Sequence, residues 1–151
     1  MTAKDLDKVV RQRWMAALAK ADPDRLERLI ERFDLATAHH YIRAPESGLV
    51  MVRARAGGTG RRFNFGEATV TRCTLVTEDG FTGHAYIMGR NRRHAELAAL
   101  MDARLQDPAI HDTIIKGVIR PLETESSRRR EREARRTAAT KVEFFTLVRG
   151  E

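Results

Sequence analysis

Arginine is the residue type in this sequence with the clearest chemical potential, and it is concentrated in the middle of the chain. Between Arg43 and His94 there are nine arginines, no lysine and four acids, which gives this segment a net charge of +5. The planar guanidinium group suits phosphate and carboxylate, so the cluster predicts an anion-binding surface. The candidate anion-binding residues are Arg53, Arg55, Gly58, Thr59, Arg61, Arg90, Arg92, Arg93 and His94.

The segment GGTG, residues 57–60, admits two interpretations. Glycine lets backbone amides approach a phosphate closely, but the Lys-Ser/Thr pair of a nucleotide P-loop is missing and a strand, not a helix, follows. The local pattern therefore favours a hairpin connection. Arg53 and Arg55 precede it and project from one face of a strand, roughly 7 Å apart, which keeps an anion site open as the alternative.

A second candidate anion site lies where Asn91 is expected to cap a helix. The positive side chains of Arg92, Arg93 and His94 oppose the positive end of the helix dipole. An anion bound there would relieve this conflict. The alternative is that these side chains extend into water.

Other site chemistry is not indicated. His39 and His40 are adjacent in an extended stretch and point to opposite faces, and the single cysteine, Cys73, sits in the middle of a strand. We expect no metal site, no cofactor held by this chain and no self-contained active site, so no catalytic residue is assigned. No segment approaches the roughly 20 apolar residues that span a bilayer, and MTAKDLDKVV lacks a signal-peptide core. A cytoplasmic protein without membrane contact is expected.

The chain of 151 residues fits one domain of the α+β class, over 1–151. Helical periodicity predicts helices over 5–20 and from Pro23 onward, followed by an antiparallel sheet whose hairpin turn contains Asp79 and Gly80. A two-residue turn would pair Leu75 with His84. A further helix is expected after Asn91.

The C-terminal part of the sequence predicts an assembly element over 122–151. A stretch of helical pattern ends or bends at Pro121, and residues 123–133 contain no apolar side chain, so this polar helix cannot be held by a core of its own. The final strand, 142–149, is apolar on both faces, which suggests a central sheet position or an interface. The partner-interface candidates are Arg129, Arg132, Phe144, Phe145 and Leu147.

Three segments carry a family resemblance: RAPESGLVMVRARAGGTGRRFNFGEATVTRC, GHAYIMGRNRRHAELAALMDA and TKVEFFTLVRG, together with RQRWMAALAKA near the N-terminus. They resemble the PhnG family, the G subunit of the bacterial carbon-phosphorus lyase system, over nearly the whole chain. The resemblance implies a non-catalytic or accessory role in phosphonate catabolism under phosphate starvation.

The same resemblance implies partners and a reaction. Members assemble with PhnH, PhnI and PhnJ, and with ATPase-like PhnL and PhnK subunits. The complex forms ribose 1-methylphosphonate 5-triphosphate from ATP and methylphosphonate and releases adenine, so ATP is a substrate of the complex. The alternative from composition alone is a basic nucleic-acid-binding module, although no RNP or helix-turn-helix signature is present. Self-association of the isolated chain is also expected.

Overall fold

The computed structural model describes residues 3–139 and shows an α+β fold, as expected. Two helices come first, three strands follow, and the remainder of the described chain is helical. The elements are α1 (Ala3–Ala19), α2 (Pro23–Arg32), β1 (His39–Arg55), β2 (Arg62–Thr77), β3 (Thr82–Met88), α3 (Arg92–Arg104), α4 (His111–Ile114), a π-helical turn (Ile115–Ile119) and α5 (Arg120–Ala139).

The helix starts follow from the sequence. Asp22 caps α2 by accepting a hydrogen bond from the backbone N–H of Arg25 at 2.9 Å, and Pro23 occupies the first turn, where its missing N–H costs nothing. Asn91 caps α3 by accepting from the backbone N–H of His94 at 2.8 Å. Both predicted caps are confirmed.

The sheet is antiparallel with the strand order β1-β2-β3. β1 pairs with β2 along almost its whole length, down to Arg55 opposite Arg62. β3 pairs only with Val70–Val76 of β2. Residues 49–69 therefore project beyond the third strand as a two-stranded extension, which we call the ribbon.

The predicted register between β2 and β3 is wrong by one residue. His84 lies opposite Thr74, not Leu75, and its Nδ1 is 3.1 Å from the Thr74 hydroxyl oxygen. The turn has three residues instead of two: Gly80 adopts a left-handed φ of 85°, and the Thr77 N–H donates to the Phe81 carbonyl at 3.0 Å. The additional turn residue shifts every later pair by one.

The core lies between one face of the sheet and the helices: α3 packs on the sheet, α1 contacts both α3 and β3, and α2 packs against α3. α3 comes so close to β3 that a Cβ on Gly83 would lie 1.9 Å from the Ala99 carbonyl oxygen. The carboxylate of Asp102 is buried at this junction. It accepts hydrogen bonds from the Arg11 guanidinium, the Trp14 indole and the His84 backbone N–H.

Pro121 does not end the helix; the chain bends through the π-helical turn and continues as α5. Pro121 has no N–H to donate to the carbonyl four residues earlier. A helix can adjust to this missing hydrogen bond by forming a wider, π-helical turn. The start of α5 packs against the rest of the fold, since Leu122 and Ser126 are buried. The predicted final strand, 142–149, lies outside the described residues.

Candidate functional site: an apolar and basic ribbon

The ribbon carries six of the thirteen exposed large apolar side chains in the described part of the chain. Phe65 is 72 % exposed and Leu49 63 %. A two-stranded hairpin is only marginally stable in water, and a contiguous apolar patch on a monomer usually marks an interaction site. The exposed apolar side chains of the ribbon are Leu49, Val50, Met51, Val52, Phe63 and Phe65.

The two faces of the ribbon differ in chemistry. Residues opposite each other in an antiparallel pair share a face, so Phe63 lies on the face of Ala54 and of Val52, which is two positions before Ala54 on β1. Phe65 joins this apolar face, because its ring makes an edge-to-face contact with Phe63 at a centroid distance of 6.4 Å. The other face carries the arginines at the tip and Leu49 and Met51 nearer the base.

On that second face, the arginines lie at the tip. Arg55 is directly opposite Arg62, and Arg53 is two residues before Arg55 on the same side of the strand. No ion pair or side-chain hydrogen bond joins any of these three guanidinium groups to another described residue. Like charges directly opposite in a sheet destabilise the pairing, so this arrangement requires a compensating anion or carries a cost.

The GGTG segment forms the hairpin turn at the tip, which the local pattern favoured. Gly57 and Gly58 have left-handed φ values of 58° and 80°, and the Gly60 N–H donates to the Ala56 carbonyl at 2.8 Å. Thr59 and Arg61 lie in the same exposed connection. The turn therefore presents Gly58, Thr59 and Arg61 beside the Arg55–Arg62 pair.

The start of α3 is organised differently from the sequence-based expectation. Arg93 contacts Glu27 at 2.7 Å and Glu96 at 3.1 Å, so carboxylates of the chain itself offset its charge. These contacts raise the pKa of Arg93, the hydrogen bond to Glu27 being the largest cause. His94 is buried, and its Nε2 lies 2.8 Å from the Leu18 carbonyl. Neither side chain faces the ribbon arginines.

Arg90 and Arg92 remain exposed and line a shallow groove at the base of the ribbon with Ser47, Gly48, Leu49 and Thr69. Neither has an ion-pair partner among the described residues. Six strand residues separate Leu49 from Arg55, which corresponds to roughly 20 Å. The candidates predicted from sequence thus fall into two groups, one at the tip and one at the base.

A partly buried polar cluster joins β1 to α3 through Tyr41, His39 and Glu96. Burial raises the pKa of Tyr41 to about 12, with a further contribution from its hydrogen bond to Glu96. Burial alone would raise the pKa of Glu96, but hydrogen bonds from Tyr41 and Arg93 outweigh it and hold that pKa below its ordinary value. His39 lies 3.4 Å from the same carboxylate. Burial also raises the pKa of the Cys73 thiol to about 11, so it is protonated at neutral pH.

The C-terminal candidates divide between the described and undescribed parts of the chain. Arg129 donates to the Lys20 carbonyl at 2.8 Å, and with Arg132 it lines a groove along α5. Glu123 and Glu125 form ion pairs with α1 and α2 at 2.6 Å and 3.0 Å. Phe144, Phe145 and Leu147 lie outside the described residues, as does the part of the predicted arm beyond Ala139.

Sequence reasoning missed the apolar character of the ribbon. The signal was present, since Leu49 and Met51 alternate with Val50 and Val52 so that both faces of β1 are apolar. Within residues 3–139, no group of three or more histidine, cysteine or acidic side chains is placed to hold a metal ion. No described helix is long and apolar enough to cross a membrane.

Fold and surface define a small α+β protein whose described part presents an exposed apolar and basic ribbon. The family model for the phosphonate metabolism protein PhnG matches residues 9–150. The chain belongs to the PhnG family. It is 38% identical over 150 residues to the alpha-D-ribose 1-methylphosphonate 5-triphosphate synthase subunit PhnG of Rhizobium meliloti (strain 1021), covering 99% of this chain and 96% of that protein.

Proposed function

We propose that this chain is a non-catalytic subunit of a hetero-oligomeric carbon-phosphorus lyase complex in phosphonate catabolism. It would support formation of ribose 1-methylphosphonate 5-triphosphate, the reaction named for its relative from Rhizobium meliloti. The observation that carries the proposal is the ribbon: its apolar side chains are exposed in the isolated chain and need a protein surface to cover them.

Homologues of PhnH, PhnI and PhnJ are the proposed partners, with PhnL- and PhnK-type ATPase subunits joining them. The proposed site of action is the cytoplasm, with ATP as a substrate of the complex and no cofactor held by this chain. Chemistry would then reside in the partner subunits.

The nucleic-acid alternative receives less support from the ribbon. Stacking surfaces for single strands place aromatic and basic side chains on one face. Here Phe63 and Phe65 lie on the apolar face, whereas Arg53, Arg55 and Arg62 lie on the other. The geometry favours a protein contact on one side and a separate anionic contact on the other.

Co-expression with the three homologues, followed by mass measurement of the purified complex, tests the proposal. Phe65→Asp should remove this chain from the complex while its melting temperature stays unchanged, because the side chain is 72 % exposed. Val9→Asp, at a 56 % exposed apolar position on α1, is the matched control and should assemble normally. A wild-type chain that does not enter any complex with these homologues contradicts the proposed function.

The assembly arm is tested by truncation. Deleting residues 123–151 would also remove Glu123 and Glu125, which are ion-paired to the body, and the buried Ser126. Deleting 131–151 spares these contacts, so the shortened chain should keep its melting temperature but lose co-purification with the PhnI-like subunit. Retention of the complex by this shorter chain would show that the arm is not required for assembly.

A further inference from the structure

We propose that the tip of the ribbon binds an oligophosphate through Arg53, Arg55 and Arg62. This inference rests on the proposed function for the choice of ligand, because the reaction of the complex uses and forms a triphosphate. The ligand class is a chain of linked phosphates, such as the triphosphate of a nucleotide. The base of the ribbon and the start of α3 are not part of this site.

The three arginines at the tip of the ribbon are spaced to contact linked phosphate groups. Arg55 and Arg62 are a directly opposed cross-strand pair, with Cβ atoms about 5 Å apart, and Arg53 is about 7 Å from Arg55 along the same face. Three guanidinium groups at this spacing match several linked phosphate groups better than a single one. Arginine binds such oxygens through paired N–H donors.

Arg53, Arg55 and Arg62 have no ion-pair partner among the described residues, whereas other arginines of the chain do. Arg43 and Arg72 both contact Glu46, at 3.1 and 2.8 Å, and Arg93 contacts Glu27 and Glu96. The nearest acid on the arginine face, Glu67, is opposite Met51, two positions before Arg53. Within the described residues, the tip therefore has room for an external anion.

The arginine face at the tip of the ribbon is accessible to a ligand. The turn that joins the strands is built from glycines with left-handed φ values, and Gly57 and Gly58 carry no side chain that would shield the tip. Covering the apolar face with a partner protein would leave the arginine face open. One ribbon could thus contact a partner and a phosphate chain together.

Tripolyphosphate is the probe, titrated calorimetrically into the full chain and into the assembled complex. The variant R53Q/R55Q/R62Q should bind it roughly tenfold or more weakly than the wild type, since three charge-assisted contacts are lost. The control K20Q/R28Q/R32Q removes the same number of charges from exposed positions outside both the ribbon and α5, and it should bind within about twofold of the wild type. Equal weakening by both triple variants would show a net-charge effect and overturn the site.

Melting temperatures show whether the ribbon variant is still folded. Neutralising opposed like charges should leave the melting temperature of the free ribbon variant unchanged or slightly raised. Tripolyphosphate should raise the melting temperature of the wild type but not that of the variant. If the wild type shows no binding, alone or in the complex, the proposal fails; tighter binding of duplex DNA per phosphate would overturn it in favour of a nucleic-acid site.

Failure of this inference is distinguishable from failure of the proposed function. If wild-type complex forms with the expected mass but does not bind tripolyphosphate, only the oligophosphate site is wrong. If tripolyphosphate binds the chain at the ribbon but no complex forms, the subunit assignment is wrong and the site stands.

Discussion

Replacing Asp102 by Asn should destabilise the fold severely, because one carboxylate joins three elements. Its Oδ1 accepts from Arg11 Nε at 3.1 Å and Trp14 Nε1 at 2.9 Å. Its Oδ2 accepts from Arg11 Nη2 at 2.6 Å and from the His84 backbone N–H at 2.9 Å. Asparagine has one acceptor oxygen, so its amide group would face two donors and leave them without a partner.

The magnitude follows from those donors. A buried donor without an acceptor costs about 1 to 3 kcal/mol, and a buried ion pair that loses one partner costs about 3 to 5 kcal/mol. Arg11 retains one third of its side-chain exposure and recovers part of this through water. We expect a loss of about 3 to 4 kcal/mol in the free energy of unfolding, hence a melting temperature lower by about 10 °C for a chain of this size.

Thermal melts followed by circular dichroism, together with urea titrations, measure this loss. Asp79→Asn is the matched control, because Asp79 is exposed and its contact with Arg104 is 3.5 Å long. The control should change stability by less than about 0.5 kcal/mol. A melting temperature of Asp102→Asn within about 2 °C of the wild type would refute the view that this carboxylate joins α1, α3 and β3.

Three further predictions concern packing and titration. Gly83→Ala should lower the free energy of unfolding by more than about 2 kcal/mol, because its Cβ would strike the backbone of α3, whereas Gly66→Ala on the ribbon meets nothing within 4 Å and should be tolerated in thermal melts. Cys73 should resist thiol reagents at pH 8 in the folded chain and react on unfolding, since burial raises its pKa to about 11; rapid native labelling would contradict this. Glu96→Gln should destabilise at pH 7. This difference should shrink as the pH falls through the lowered pKa of Glu96, because a depressed folded-state pKa stabilises only above it; a difference constant down to pH 3 would exclude the linkage.

Local rules predicted most of the fold because local interactions decide it. Side-chain caps at Asp22 and Asn91 are short-range hydrogen bonds, and the sequence identified both. The predicted register of β2 and β3 was wrong because it depends on whether the turn has two residues or three. The turn has three residues, and among them Gly80 alone adopts a positive φ. Sequence could not resolve that choice, and every cross-strand pair depends on it.

The site was harder to predict because it depends on distant contacts. Arg93 and His94 share the helix start with Arg92, yet Glu27 and the Leu18 carbonyl reach them from α2 and α1. Conversely, only the register reveals that Arg62 lies directly opposite Arg55. The distribution of charge along the sequence indicated the region of the candidate site. The strand pairing in the structure shows which arginine side chains in that region lie together.

Energetics indicate that the ribbon cannot be the whole interface. The four exposed side chains of its apolar face, Val50, Val52, Phe63 and Phe65, are between 37 % and 72 % exposed, so a partner would bury about half of each. At roughly 1 kcal/mol apiece this contributes about 4 kcal/mol, whereas association costs about 4 to 15 kcal/mol in lost translational and rotational freedom. A stable complex therefore needs a second surface. The exposed arginines of α5 beyond Ser126 offer one, because contacts there would add to the ribbon without a second association cost.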